Sequence, residues 1–193
     1  MSLLRAFIAV EIPPEIHKAI ESKTAPLRVA LDSSLVRWVE TSNIHLTLKF
    51  LGGVSPANVE LLTQMLNVEV GQHQPFALKF GGLGAFPNHR RPRVIWIGIQ
   101  APAGFEALQH GIEAAAATLG YPSEKRPFSP HLTIGRVKQN ASPAGMQKVR
   151  NALEETEVGV LGTIQVTAVH LFKSDLKPTG AVYTQLFSAP LGK

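Results

Sequence analysis

The sequence predicts an α+β protein: a duplicated β-α-β-β-α-β unit forming two pseudo-symmetric lobes, with antiparallel sheets facing a central cleft and helices outside. Three observations predict it. A segment of the form His-Leu-Thr-aliphatic occurs twice, as HLTL from His45 and HLTI from His131. A second pair, RAFIAVEIPP from Arg5 and RVIWIGIQAP from Arg93, precedes the two histidines at nearly the same distance. Between these landmarks, strand-like runs alternate with amphipathic stretches of helical period.

Taken in order, the first unit opens on the apolar run RAFIAVEI, stopped by Pro13 and Pro14. EIHKAIESKTAPLRVAL then repeats its apolar residues at three- and four-residue steps, an amphipathic helix. NIHLTLKFLG, residues 43–52, alternates Leu46, Leu48 and Phe50 with His45, Thr47 and Lys49. That is a strand with one apolar and one polar face. Ser55-Pro56 starts a second helix, and FALKFGGLGAF is a further strand. The second unit repeats the plan. RVIWIGIQ is a strand, AGFEALQHGIEAAAATLG a helix capped at Gly120, and SPHLTIGR the second histidine strand. Ser142-Pro143 starts the last helix. IQVTAVHLFKS reads as one strand, and AVYTQLFSAPL as another paired to it through the turn DLKPTG. A doubly wound parallel sheet is the alternative, but VEIPPE stands where its Gly-rich phosphate loop would follow the first strand.

A chain of 193 residues, 45% hydrophobic and 17% charged, fits one domain of two lobes sharing a core. No apolar run approaches the ~18–20 residues that span a bilayer, and no signal-cleavage pattern follows the N-terminus, so a cytoplasmic location is expected. Cysteine is absent, which excludes disulfides, thiol catalysis and cysteine-ligated zinc. A net charge of +5 and a pI near 9.7 favour an anionic partner, nucleic acid first. The segment NHRRPR, with Arg90, Arg91 and Arg93, concentrates that charge in a loop.

Two lobes related by an approximate two-fold would set His45 and Thr47 opposite His131 and Thr133 across the cleft. Two imidazoles so placed suit a reaction needing an acid and a base together. The threonine hydroxyls can donate to the oxygens of a bound anion. In-line displacement at a phosphate ester needs those parts.

These motifs resemble the 2H phosphoesterase superfamily. With the flanks RAFIAVEIP, RWVETSNIHLTLKFLG, GAFPNHRRPRVIWIG, FSPHLTIGR and VYTQLF, the chain is similar nearly throughout to the RNA 2′,3′-cyclic phosphodiesterases, also called 2′-5′ RNA ligases. The resemblance implies a single domain over residues 1–193, one lobe from the middle of the chain and the other from both termini. It implies hydrolysis of a 2′,3′-cyclic phosphate at an RNA 3′ end to a 2′-phosphate, without metal or other cofactor, and reversible 2′-5′ ligation at the same site. Carried over, His45 is the proton donor and His131 the proton acceptor, and Thr47, Thr133 and Arg136 bind the phosphate. The implied partner is RNA with a cyclic phosphate end, tRNA fragments among the candidates; neither a membrane nor an obligate protein partner is implied. Strict alternation turns Arg136 away from the cleft, so a bulge or strand end at Gly135 is required to bring it in. In the first motif Phe50 occupies the place of Arg136.

The other histidines, His17, His73, His89, His110 and His170, read as surface or loop residues. Trp38 and Phe86 stay open between core packing and base stacking, while Phe7 and Trp96 read as core. The rivals are a zinc hydrolase, a phosphodiesterase for another cyclic or 2′-5′-linked nucleotide, and a non-catalytic RNA-binding module.

Overall fold

A computed structural model describes residues 3–178 and 180–192. The chain runs β1 (Leu4–Val10), α1 (Pro14–Ala30), β2 (Val36–Trp38), a 3-10 turn (Thr41–Asn43), β3 (Leu46–Val54), α2 (Pro56–Val70), β4 (Phe76–Phe86) and β5 (Val94–Gln100). It continues through α3 (Ala103–Thr118), β6 (His131–Val137), α4 (Pro143–Glu155), β7 (Val160–Val166), β8 (Ala168–Lys177) and β9 (Gly180–Pro190). Two antiparallel sheets result. One has the order β3-β1-β8-β9 and the other β2-β6-β5-β4-β7.

Local chemistry explains the helix ends. The side chains of Ser55 and Ser142 accept from Asn58 N and Gly145 N, and a proline follows each as the first helical residue. At the end of α3, Gly120 takes φ +90, which glycine adopts without a Cβ clash. Tyr121 N can then donate back to the Ala116 carbonyl.

The duplicated plan is visible in the pairing, since β1 lies beside β3 as β5 lies beside β6. The helices, however, do not all stay with their own sheet. α1 leaves β1 and packs on β7 of the other sheet and on α4. α3 leaves β5 and packs on β3 and on α2, which itself covers β8 and β9. Each half lends a helix to the opposite sheet, and the buried residues form one continuous cluster.

The segment read as one strand, IQVTAVHLFKS, breaks at Thr167: β7 ends the middle sheet and β8 enters the terminal one. Apolar periodicity runs on through a change of sheet, so it carries no sign of the break. The turn read over DLKPTG is shorter, because Asp175 to Lys177 already pair with Gly180 to Val182; Thr179 lies outside the described residues.

The strict alternation read for β3 also fails, and the way it fails matters. Thr47 pairs with Ala9 and Lys49 with Ile8, so Leu48 is an extra residue, a β-bulge. Leu48 and Lys49 are both 2% exposed, while Phe50 is turned out and 57% exposed. In β6 the same thing happens at the same place. Thr133 pairs with Trp96 and Gly135 with Ile95, leaving Ile134 as the extra residue. Gly135 is needed there, since a Cβ would stand 2.8 Å from the Trp38 ring and 2.9 Å from Val36.

The bulge sends Lys49 outward beneath α3. Its Nζ donates to Glu113 Oε2 at 2.7 Å and to the Pro122 carbonyl at 2.9 Å. Glu113 Oε2 also accepts from Glu124 N. Gln109 Nε2 donates to the carbonyl of Leu48, the extra residue itself. Both charges are paired and hydrogen-bonded, which makes their burial tolerable. Removing one partner should destabilise strongly: Glu113→Ala is expected to lower unfolding free energy by ~3–5 kcal/mol in urea titrations. The apolar double replacement Lys49→Met with Glu113→Leu should lie closer to the parent.

Candidate active site

His45 stands just before β3 and His131 opens β6, so the two belong to different sheets, and both line one cleft. Thr47 and Thr133, two residues along the same strand faces, line it too. The cleft brings together all five residues singled out by the sequence, Arg136 included, and the bulge at Ile134 is what turns Arg136 inward.

The two histidines are held alike. His131 Nδ1 lies 2.7 Å from the Ser129 carbonyl. A carbonyl only accepts, so Nδ1 carries the proton and Nε2 keeps its lone pair. His45 makes the matching bond to the carbonyl of Asn43, again two residues back. Asn43 Nδ2 in turn donates to the Ala181 carbonyl in β9, fixing the approach to β3. His17, read as helix surface, is half-buried, and its Nε2 lies 2.9 Å from the carbonyl of Ile44. It therefore pins the residue before His45, a contact between distant segments that helical periodicity cannot reveal.

Aromatic rings complete each pocket. Phe7 stacks on His45 at 4.6 Å between centroids, and Tyr183 meets it edge-on at 5.0 Å. Phe86 meets His131 edge-on at 4.8 Å, and Trp96 lies at 6.5 Å. Phe7 is core by burial, as expected, yet it is also the floor under His45. Trp96, read as core, is half-buried on the cleft side. Trp38 also lines the cleft, where its ring N–H donates to the Leu31 carbonyl and Arg28 sits 5.0 Å over it.

Burial governs the proton affinities. It pushes His45 from 6.5 down to about 4, partly offset by the Asn43 carbonyl and reinforced by His17. It lowers His131 as well, with the Arg136 guanidinium adding to the effect. Tyr183 is raised by burial, and Arg5 and Arg136 act against that rise.

Arg5, Arg37, Arg93 and Arg136 line the cleft, and among the described residues none of them forms an ion pair. Arg37 and Arg136 stand directly opposite on β2 and β6. Like charges so placed repel, so the pair favours an anion between or beside them. Among the described residues no three His, Asp or Glu side chains cluster as metal ligands, and no helix is long and apolar enough to cross a membrane.

The model of the 2′-5′ RNA ligase superfamily matches residues 12–178. The chain is 32% identical over 183 residues to the RNA 2′,3′-cyclic phosphodiesterase of Methanothermobacter thermautotrophicus, covering 95% of this chain and 96% of that protein. It is 35% identical over 184 residues to the enzyme of the same name from Archaeoglobus fulgidus, covering 95% and 98%. Among solved structures it is similar to E. coli LigT in apo form, with a TM-score of 0.75, 28% identity and 98% of each chain covered.

The depressed affinity of His45 makes stability depend on pH in a definite direction. Between about 6.5 and about 4 the unfolded chain binds a proton that the folded chain excludes, so stability falls as pH falls through that window. The loss from this group is on the order of 3 kcal/mol. Urea unfolding at pH 7 and pH 5 should show the drop, and His45→Gln should reduce it, leaving the part contributed by His131 and His170, which burial also lowers.

Proposed function

This chain belongs to the 2′-5′ RNA ligase superfamily, and on that premise we propose that it opens 2′,3′-cyclic phosphates at RNA 3′ ends, leaving a 2′-phosphate. The observation that carries the reading is the pair of histidine–threonine strands on opposite sheets of one basic cleft.

The chemistry follows from the product. To leave a 2′-phosphate, the bond from phosphorus to O3′ breaks, and water attacks from the opposite side. His131 Nε2 takes a proton from that water as its oxygen bonds to phosphorus. His45 gives a proton to O3′ as it departs. Thr47 and Thr133 donate to the non-bridging oxygens, and Arg136 balances their charge. Exchange with solvent returns both histidines to their starting states. With the 5′-hydroxyl of a second RNA end in place of the attacking water, the same steps form a bond from its O5′ to phosphorus, break the bond to O3′ and leave a 2′-5′ linkage. Arg5, Arg37 and Arg93 extend the positive wall for neighbouring phosphodiesters, tRNA fragments being one such substrate.

Before substrate binds, burial keeps His45 neutral at pH 7, whereas its role requires a proton. A bound phosphate anion favours the charged imidazole and raises the pKa, so substrate supplies what burial removes. This sets the pH profiles apart. The profile of kcat/KM reports the free enzyme and should be a bell with its optimum on the acid side of 6.5. The profile of kcat reports the complex, and its optimum should lie at higher pH. Coincident optima would mean that the substrate leaves these groups unaffected.

The activity itself is tested with purified protein, excess chelator and an oligonucleotide ending in a 2′,3′-cyclic phosphate. A 2′-phosphate product is expected, with His45→Ala and His131→Ala each losing about 10²–10⁴-fold. On a substrate whose 3′ leaving group needs little protonation, His45→Ala should regain much of its rate and His131→Ala should not. Recovery by His131→Ala instead reverses the roles, and a 3′-phosphate product refutes the substrate pose.

A further inference from the structure

The two bulges have a consequence for the substrate. Each turns the fifth residue after the histidine into the cleft: Arg136 in the lobe of His131, and Phe50 in the lobe of His45. One repeat position thus presents a guanidinium on one wall and an aromatic ring on the other. Phe50 is 57% exposed, an unusual state for a phenylalanine on a sheet, and Leu176 and Val182 are exposed beside the same cleft. Among the described residues its one ring partner is Phe7, with centroids 6.2 Å apart and tilted by 49°. Phe7 in turn lies 4.6 Å from His45. Phe7 therefore sits between the acid and the exposed ring.

Because O3′ leaves toward His45, the ribose that carries O3′ lies on that same wall. Its base projects along the wall, where Phe50 offers the free π-face. We propose that Phe50 is the stacking platform for the base of the terminal nucleotide. The inference rests on the phosphodiesterase reading above and adds the placement of the nucleoside. Stacking is tolerant of base identity, so Phe50 contributes affinity with a preference for purines over pyrimidines rather than strict selection. Arg136 holds phosphate on the facing wall, so recognition is divided between the lobes at equivalent positions.

The experiment compares the parent chain, Phe50→Ala and Phe50→Trp on two substrates. One is an oligonucleotide ending in adenosine 2′,3′-cyclic phosphate; the other is identical but lacks the terminal base. On the first, Phe50→Ala should raise KM about tenfold or more with kcat little changed, and Phe50→Trp should keep the parent KM. On the second, all three proteins should share one KM, already raised. An equal rise for Phe50→Ala on both substrates, or no rise on either, overturns the proposal. Calorimetric titration with 2′-AMP and with inorganic phosphate separates this from failure of the underlying reading. If the parent shows no turnover, the phosphodiesterase reading fails. The stacking proposal still stands or falls on whether Phe50→Ala weakens 2′-AMP alone.

Discussion

The site depends on one departure from regular geometry, the extra residue three positions after each histidine. A strand that alternates without interruption can aim His45 and Thr47 into the cleft, but it must then aim Phe50 into the core and Lys49 at the substrate. The bulge at Leu48 reverses both. Its partner at Ile134 does the same for Arg136. A bulge leaves one residue outside the ladder and bends the strand, so the fold must supply partners for what it displaces. In β3 the partner is Gln109, bonded to the carbonyl of Leu48; in β6 the glycine at 135 lets Trp38 close over the bend.

The same displacement ties the lobes together. Lys49, sent outward by the bulge, reaches Glu113 on a helix that belongs by sequence to the other half. Through Pro122 and Glu124 the pair also holds the segment leading to His131. The strand of one histidine is thus fixed to the approach of the other. Exchange of α1 and α3 between the sheets works in the same direction, since neither sheet can be covered without a helix from the opposite half. His17 adds a third tie, from α1 to the residue before His45. A cleft between independently hinged lobes would lose the alignment that in-line displacement demands; these three ties oppose that loss.

Much of this was legible in the sequence. The duplication, the helix starts at Ser55 and Ser142, and the shared cleft face of His45, Thr47, His131 and Thr133 all follow from periodicity and repetition. What periodicity cannot express is a change of phase. Alternation places Phe50 and Lys49 on the wrong faces because nothing in LTLKFL marks the extra residue. Gly135 did mark its counterpart, since a glycine inside an apolar strand signals a bulge or a close approach. The break at Thr167 and the contact of His17 with Ile44 escaped for a related reason: each is set by partners far away in the chain. Sequence leaves Trp38 open between core packing and base stacking; its place at the cleft with its N–H held by the Leu31 carbonyl depends on contacts that periodicity cannot express.

A duplicated fold also starts from chemical symmetry, and acid–base catalysis requires that symmetry to be broken. Both imidazoles bond a carbonyl two residues back, both are packed by aromatic rings, and both lose proton affinity to burial. They differ at the residue the bulge presents. Beside His131 that residue is Arg136, a permanent cation that lowers its affinity further; on the wall of His45 it is the neutral Phe50. A phosphate anion between them raises both affinities, yet Arg136 stays near His131. Burial depresses His45 more strongly than His131, so on the proposed roles the bound phosphate must raise His45 the more for it to act as the acid. Arg136 works in the same direction by opposing a charge on His131, which needs its lone pair as the base.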